Sequence, residues 1–118
     1  MHEIDRTRRV AELMKRELAI LISQNLNDKR INTVTITSVT VSKDLRQSKV
    51  FFSTIQDEDK VEIVEKLLNN SAGYLRHQLG KTLKLRIMPT IEFKFDNSLK
   101  RGIEMSTLID RLNSNNGG

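Results

Sequence analysis

A chain of 118 residues with 37% apolar residues has the size and make-up of one globular domain, and with four Phe, one Tyr and no Trp its core must come from Leu, Ile and Val. The absence of Cys excludes disulfides, thiolate zinc sites, iron–sulfur clusters and a cysteine nucleophile. A net charge of +5 and a pI near 9.7 favour polyanionic partners, and the excess is local: it lies entirely between Arg76 and Arg101, while Asp57, Glu58, Asp59, Glu62 and Glu65 form an acidic segment.

In chain order, Asp5 reads as an N-cap, and Val10, Leu13, Met14, Leu18, Leu21 and Ile22 recur at the spacing of an amphipathic helix that runs to about Asn25. The opposite face carries Arg8, Glu12, Lys15 and Arg16, then Ala19 and Ser23. After a polar turn at Asn27–Arg30, the β-branched run Thr33–Val41 predicts a strand. Its parity slips, with Val34 and Ile36 on one face and Val39 and Val41 on the other, which predicts a β-bulge near Thr37 and Ser38. Ser42–Leu45 turns the chain into a second strand, Gln47–Ile55, that contains Val50, Phe51, Phe52 and Ile55.

Asp57, Glu58 and Asp59 suit the N-terminus of a second helix, as caps and as negative charge at the positive end of the dipole, with Val61, Val64, Leu67 and Leu68 as its apolar stripe. Asn69–Gly73 interrupts that stripe and Leu75, Leu79 and Leu83 resume it, so two helices meet at a break. Leu85–Phe95 predicts the third strand, with Ile91, Phe93 and Phe95 on one face; Pro89, unable to donate to a ladder, marks an edge, a strand start or a bulge. Asp96–Ser98 turns into a terminal helix on Ile103, Met105, Leu108, Ile109 and Leu112, and residues 113–118 read as a disordered tail. The order α-β-β-α-α-β plus a final helix describes an α+β two-layer sandwich, a single domain over residues 1–112.

Candidate contacts to an anionic partner fall in four places. Ser71, Ala72 and Gly73 are either a plain turn between helices or a place where another backbone comes close. Arg76, His77, Lys81 and Lys84 follow; residues 77, 81 and 84 share a helical face, and a solvated face competes with phosphate contact as its explanation. Arg6, Arg8 and Arg9 gather at the start of the first helix, where cations oppose the dipole, and Lys43, Arg46 and Lys49 surround the hairpin turn. Phe93 and Phe95 belong to the core, which leaves Tyr74 as the exposed stacking candidate and implies recognition by backbone and shape. His77 has no acid within four residues, and neither a phosphate loop nor a serine elbow occurs, so catalysis, metals and cofactors are not expected. The N-terminus has no apolar h-region and Leu18–Ile22 is far too short to span a bilayer, so a cytoplasmic protein away from membranes is expected.

Several pieces of the chain, in this order and spacing, carry a resemblance: Arg6-Thr-Arg-Arg9, Asp28-Lys29-Arg30, Ser42-Lys43-Asp44-Leu45, Ser71-Ala72-Gly73-Tyr74-Leu75-Arg76, Leu85-Arg86-Ile87-Met88-Pro89, Phe93-Lys94-Phe95-Asp96-Asn97-Ser98 and Gly102-Ile103-Glu104-Met105-Ser106. From Arg6 to Leu112 the chain resembles the ribosome-binding factor A family. The resemblance implies a type II KH-like fold in which a helix-kink-helix with an Ala-x-Gly break replaces the GxxG loop. Here Ser71 stands where the family has Ala, Lys29 where Pro is usual, and Thr90 where Glu typically follows Pro; the long charged C-terminal tail of some relatives is absent. It implies binding to free small (30S) ribosomal subunits, or their precursors, and to the 16S rRNA, and a monomer is expected. Its role would be in late assembly and 5′-end rRNA processing, also in the cold, with Arg86 added to the RNA-contact candidates. The alternative is a module that holds a protein partner, such as a GTPase or translation factor, by a strand edge or a basic helix.

Overall fold

The computed structural model describes residues 3–25 and 29–98. Helix α1 (Glu3–Asn25) is followed by a 3-10 turn at Ile31–Thr33, strands β1 (Val34–Val41) and β2 (Gln47–Thr54), helices α2 (Glu58–Asn70) and α3 (Ala72–Leu83), and strand β3 (Thr90–Phe95). The sheet order is β1-β2-β3: β1 and β2 form an antiparallel hairpin, and β3 runs parallel to β2. A parallel neighbour cannot be reached by a tight turn, so α2 and α3 serve as the crossover and bring their apolar stripes onto the sheet.

One face of the sheet meets the three helices. Met14 and Leu18 of α1, Val64 and Leu68 of α2 and Leu75 and Leu79 of α3 are buried against Val50, Phe52 and Phe93. Phe95 lies edge-on to Phe52 at a centroid distance of 5.8 Å, as the strand parity requires. The expected bulge is present between Ile36 and Ser38. It rotates the strand by one residue, so Val34, Ile36, Val39 and Val41 all contribute to the core despite their broken alternation.

Several sequence expectations are corrected. Helix α1 begins at Glu3, so Asp5 is a first-turn helical residue and not its cap. Thr33 belongs to the 3-10 turn, and β2 stops at Thr54, leaving Ile55 87% exposed. Asp57 occupies the N-cap position of α2, yet its side chain makes no capping bond; its carbonyl accepts from Lys60 N–H at 2.8 Å. The third strand starts at Thr90 and not at Leu85, because its partner β2 begins at Gln47, opposite Thr90, and the residues before Gln47 form the hairpin turn. Pro89 is thus buried at the strand start. Lys84 ends α3 in the left-handed region, at φ 50°, and so leaves the helical face it was expected to share with His77 and Lys81. The proposed terminal helix and tail lie outside the described residues.

The outer edge of β3 is closed by side chains. Asn69 donates to the Phe93 carbonyl at 3.1 Å and accepts from its N–H at 2.7 Å, as a neighbouring strand would. Glu65 accepts from Phe95 N–H at 2.9 Å. Four residues of helix rise about 6 Å and two of strand about 6.6 Å, so positions 65 and 69 stay in step with positions 95 and 93.

Candidate nucleic-acid interface

The kink is built on Ser71. Its N–H donates to the carbonyls of Leu68 and Leu67 at 3.0 and 3.2 Å, closing α2, and its carbonyl accepts from Leu75 N–H at 2.9 Å, opening α3. Its hydroxyl donates to the Leu67 carbonyl at 3.2 Å, a bond that Ala at this position could not make. Gly73 sits in the first turn of α3 with ordinary negative φ, and an added Cβ would meet nothing within 4 Å. Among the described residues, neither backbone conformation nor packing therefore requires glycine there. One helical turn and two turns on, Arg76, His77, Gly80 and Lys81 continue the same face, and with Met88 they line an open recess of about 510 Å³. Gly80 leaves its floor low, an added Cβ there standing 4.0 Å from Met88.

Arg76 has a structural task that sequence reasoning missed. Its Nε donates to the carbonyls of Met88 and Pro89 at 3.2 and 3.1 Å, and Nη2 donates to Met88 at 2.7 Å. The fork holds the loop before β3 against α3, so Arg76 shapes the recess and is not simply a free cation beside it. The signal was invisible locally, since its partners lie 12 and 13 residues away.

A second group meets at the other end of α3. Arg6 and Arg9 of α1 and Arg86 of the α3–β3 loop surround a recess of about 670 Å³ whose walls include Leu13, Leu45 and Leu83. Leu45, at φ 63°, is placed there by a tied hairpin turn. Asp44 Oδ1 accepts from the Ser42 hydroxyl at 2.7 Å and from Arg46 N–H at 3.1 Å, and these bonds hold the Asp44 carboxyl below its usual value of 3.8. Lys43 and Arg46 are exposed at that tip.

Two sequence candidates do not join these groups. Arg8 points to the opposite flank of α1, toward β1. Lys49 lies on the sheet face away from the helices, in register with Thr40 and Glu92. Tyr74 is 46% exposed beside the kink, as expected. Phe51 was overlooked: with Val50 and Phe52 buried, parity puts it on the uncovered sheet face, half-buried and in register with Lys94. Among the described residues no three His, Asp or Glu side chains gather as a metal site, and no helix is long and apolar enough to cross a membrane.

The chain matches the family model for ribosome-binding factor A over residues 6–109. It is 44% identical over 112 residues to ribosome-binding factor A of Stutzerimonas stutzeri, covering 92% of this chain and 87% of that protein. With the Pseudomonas aeruginosa protein of that name it shares 43% identity over 117 residues, 98% of this chain and 91% of the relative. The crystal structure of ribosome-binding factor A from Thermus thermophilus superimposes with a TM-score of 0.59 at 20% identity over 80% of this chain and 96% of its own, which speaks for the fold. A homology model of the Thermus thermophilus factor, fitted into a cryo-EM map of its complex with the 30S subunit, gives a TM-score of 0.62 at 26% identity over 74% of this chain and 91% of that one. The chain is a member of the ribosome-binding factor A family, a family of non-enzymatic ribosome-binding factors.

Proposed function

We propose that this chain binds the small ribosomal subunit through its 16S rRNA, as a monomeric KH-like domain in the cytoplasm, and that it assists late assembly and 5′-end rRNA processing, including in the cold. The observation that carries this reading is the bare face at Gly73: a helix tolerates glycine at a cost of about 0.5–1 kcal/mol relative to alanine, and among the described residues nothing uses it. Space kept clear on a helix beside His77 and Lys81 suits a phosphodiester backbone that approaches closely. In this reading Ser71 and Ala72 set the kink, Arg76 holds the recess open, and Lys84, Arg86, Arg6, Arg9, Lys43 and Arg46 extend the positive surface past the end of α3. The complex described for the Thermus thermophilus relative supports a 30S partner.

Co-sedimentation with small subunits across a salt series tests it. Replacing Lys81, Lys84 and Arg86 together by Ala should weaken binding and flatten the salt dependence by two to three units of slope, about 0.7–0.9 for each lost phosphate contact. Unchanged binding would remove this face from the reading.

A further inference from the structure

We propose that the seam between α1 and the outer edge of β1 is a docking groove for an extended, acidic segment of a partner polypeptide, which adds to the sheet as a fourth strand. Unlike β3, this edge is bare among the described residues. Ser42 N–H donates to the Gln47 carbonyl at 2.9 Å, and from that pair the antiparallel register alternates, so Thr40 and Ser38 face β2 while Val41 and Val39 turn N–H and C=O outward. Beyond the bulge Ile36 is opposite Phe52, whose carbonyl already accepts from Asp96 on the β3 side, so Ile36 faces outward too. Among the described residues, no strand, helix or side chain pairs with these outward groups.

The composition of β1 leaves the edge undefended. The strand VTITSVTV has no charge and no proline, and apart from Ser38 every residue is β-branched; the bulge is its sole interruption. Two recesses follow one another along the seam. One, of about 420 Å³, lies between Ala11 and the Ser38–Val41 stretch; the other, of about 490 Å³, lies between Ala19, Ser23 and the Val34–Ile36 stretch. The small side chains on the α1 wall leave room for a strand at the ladder spacing of about 4.8 Å from β1.

Charge selects the occupant. Arg8 and Lys15 stand exposed on this wall two turns apart, with Glu12 between them, and among the described residues the ion pair of α1 is that of Arg16 with Glu17, at 3.6 Å. An extended segment presents side chains on one face every 6.6 Å or so, which brings carboxylates on alternate residues within reach of both cations. A second copy paired by a two-fold axis would set Arg8 and Lys15 against Lys15 and Arg8, like against like. RNA offers no alternating N–H and C=O to answer the strand edge. This is recognition by strand addition, on a flank that the rRNA reading does not use.

The test uses the full chain, labelled with nitrogen-15, and an eight-residue capped peptide of alternating glutamate and valine. The expected result is saturable shifts with slowed exchange at the Ile36, Val39 and Val41 amides. N-methylation along one edge of the peptide should abolish binding, and along the other edge leave it intact. A lysine-for-glutamate peptide should bind at least tenfold more weakly, and Arg8→Glu with Lys15→Glu should reverse that preference. The proposal is overturned by absence of binding, by indifference to N-methylation at both edges, or by protection of these amides without peptide, whether through self-association or through the chain's own residues. Equal protection by ribosomal RNA overturns it as well.

Discussion

The two edges of the sheet have opposite treatments. Along β3, Glu65 and Asn69 meet alternate residues and Arg76 takes the carbonyls just before the strand, so the edge is spent on its own helices. Along β1 the helix alongside places Ala11, Ala19 and Ser23, and the Ser23 hydroxyl donates to the Ile20 carbonyl of its own helix and not to the strand. The closed edge gives a rigid frame for the kink and the recess beside it; the open edge keeps its pairing capacity. Protection of an edge and use of an edge are thus alternatives, and this domain has one of each.

The largest effect should come from opening the closed edge. Asn69→Ala strips both partners from Phe93 in a partly buried ladder position and should destabilise the domain by about 2 kcal/mol, read from urea unfolding. Asn69→Asp keeps the acceptor for Phe93 N–H but turns a carboxylate on its carbonyl, so it should not rescue. If Asn69→Ala unfolds at the wild-type midpoint, the side-chain suture is not what closes this edge.

Next is Arg76. Arg76→Ala should cost about 1 kcal/mol, less than Asn69 because the guanidinium is largely exposed, and should raise amide exchange in residues 85–88 without touching β1. Arg76→Lys should recover little, since a single ammonium cannot reproduce the fork. A loss of subunit binding with no change in loop exchange would instead make Arg76 a direct ligand.

Much of this frame was legible in the residues. The helical stripes, the bulge and the assignment of Phe93 and Phe95 to the core follow from periodicity, because burial on one face imposes it. The third strand was overread because Leu85 and Met88 are apolar for packing under α3, not for pairing, and apolar content does not distinguish the two. Ile55 misleads differently: it is 87% exposed, so its apolar side chain serves neither pairing nor core packing among the described residues. For the site, residue type found the cations but not their grouping: Arg6 and Arg9 face one recess and Arg8 another, which a fixed helical start and the position of β1 decide. The suture by Glu65 and Asn69 was unreadable, since it depends on the parallel placement of β3 beneath α2.

A smaller effect of opposite sign is expected at the kink. Gly73→Ala places a methyl in open space at a helical φ and should stabilise the domain by about 0.5–1 kcal/mol. If the cleared face seats a phosphodiester backbone, the same methyl should weaken subunit binding at least tenfold. A more stable protein that binds worse separates function from packing; a more stable protein that binds equally well would mean that Gly73 keeps no space for a ligand.

The smallest effect on stability should come from defending the open edge. Thr40 lies on the sheet face away from the helices, paired with Lys49, and is exposed, so Thr40→Lys changes no core contact and should alter unfolding by less than about 0.5 kcal/mol despite the like charge opposite. A lysine in the middle of an edge strand keeps a hydrated charge where an incoming strand would pack, the device that edge strands commonly use. Peptide-induced protection of Ile36, Val39 and Val41 should therefore fall several-fold while co-sedimentation with small subunits stays at the wild-type level, because Thr40 and the kink belong to opposite edges of the sheet. If both activities fall together, the two edges serve one binding event and the contrast between them is a feature of the fold alone.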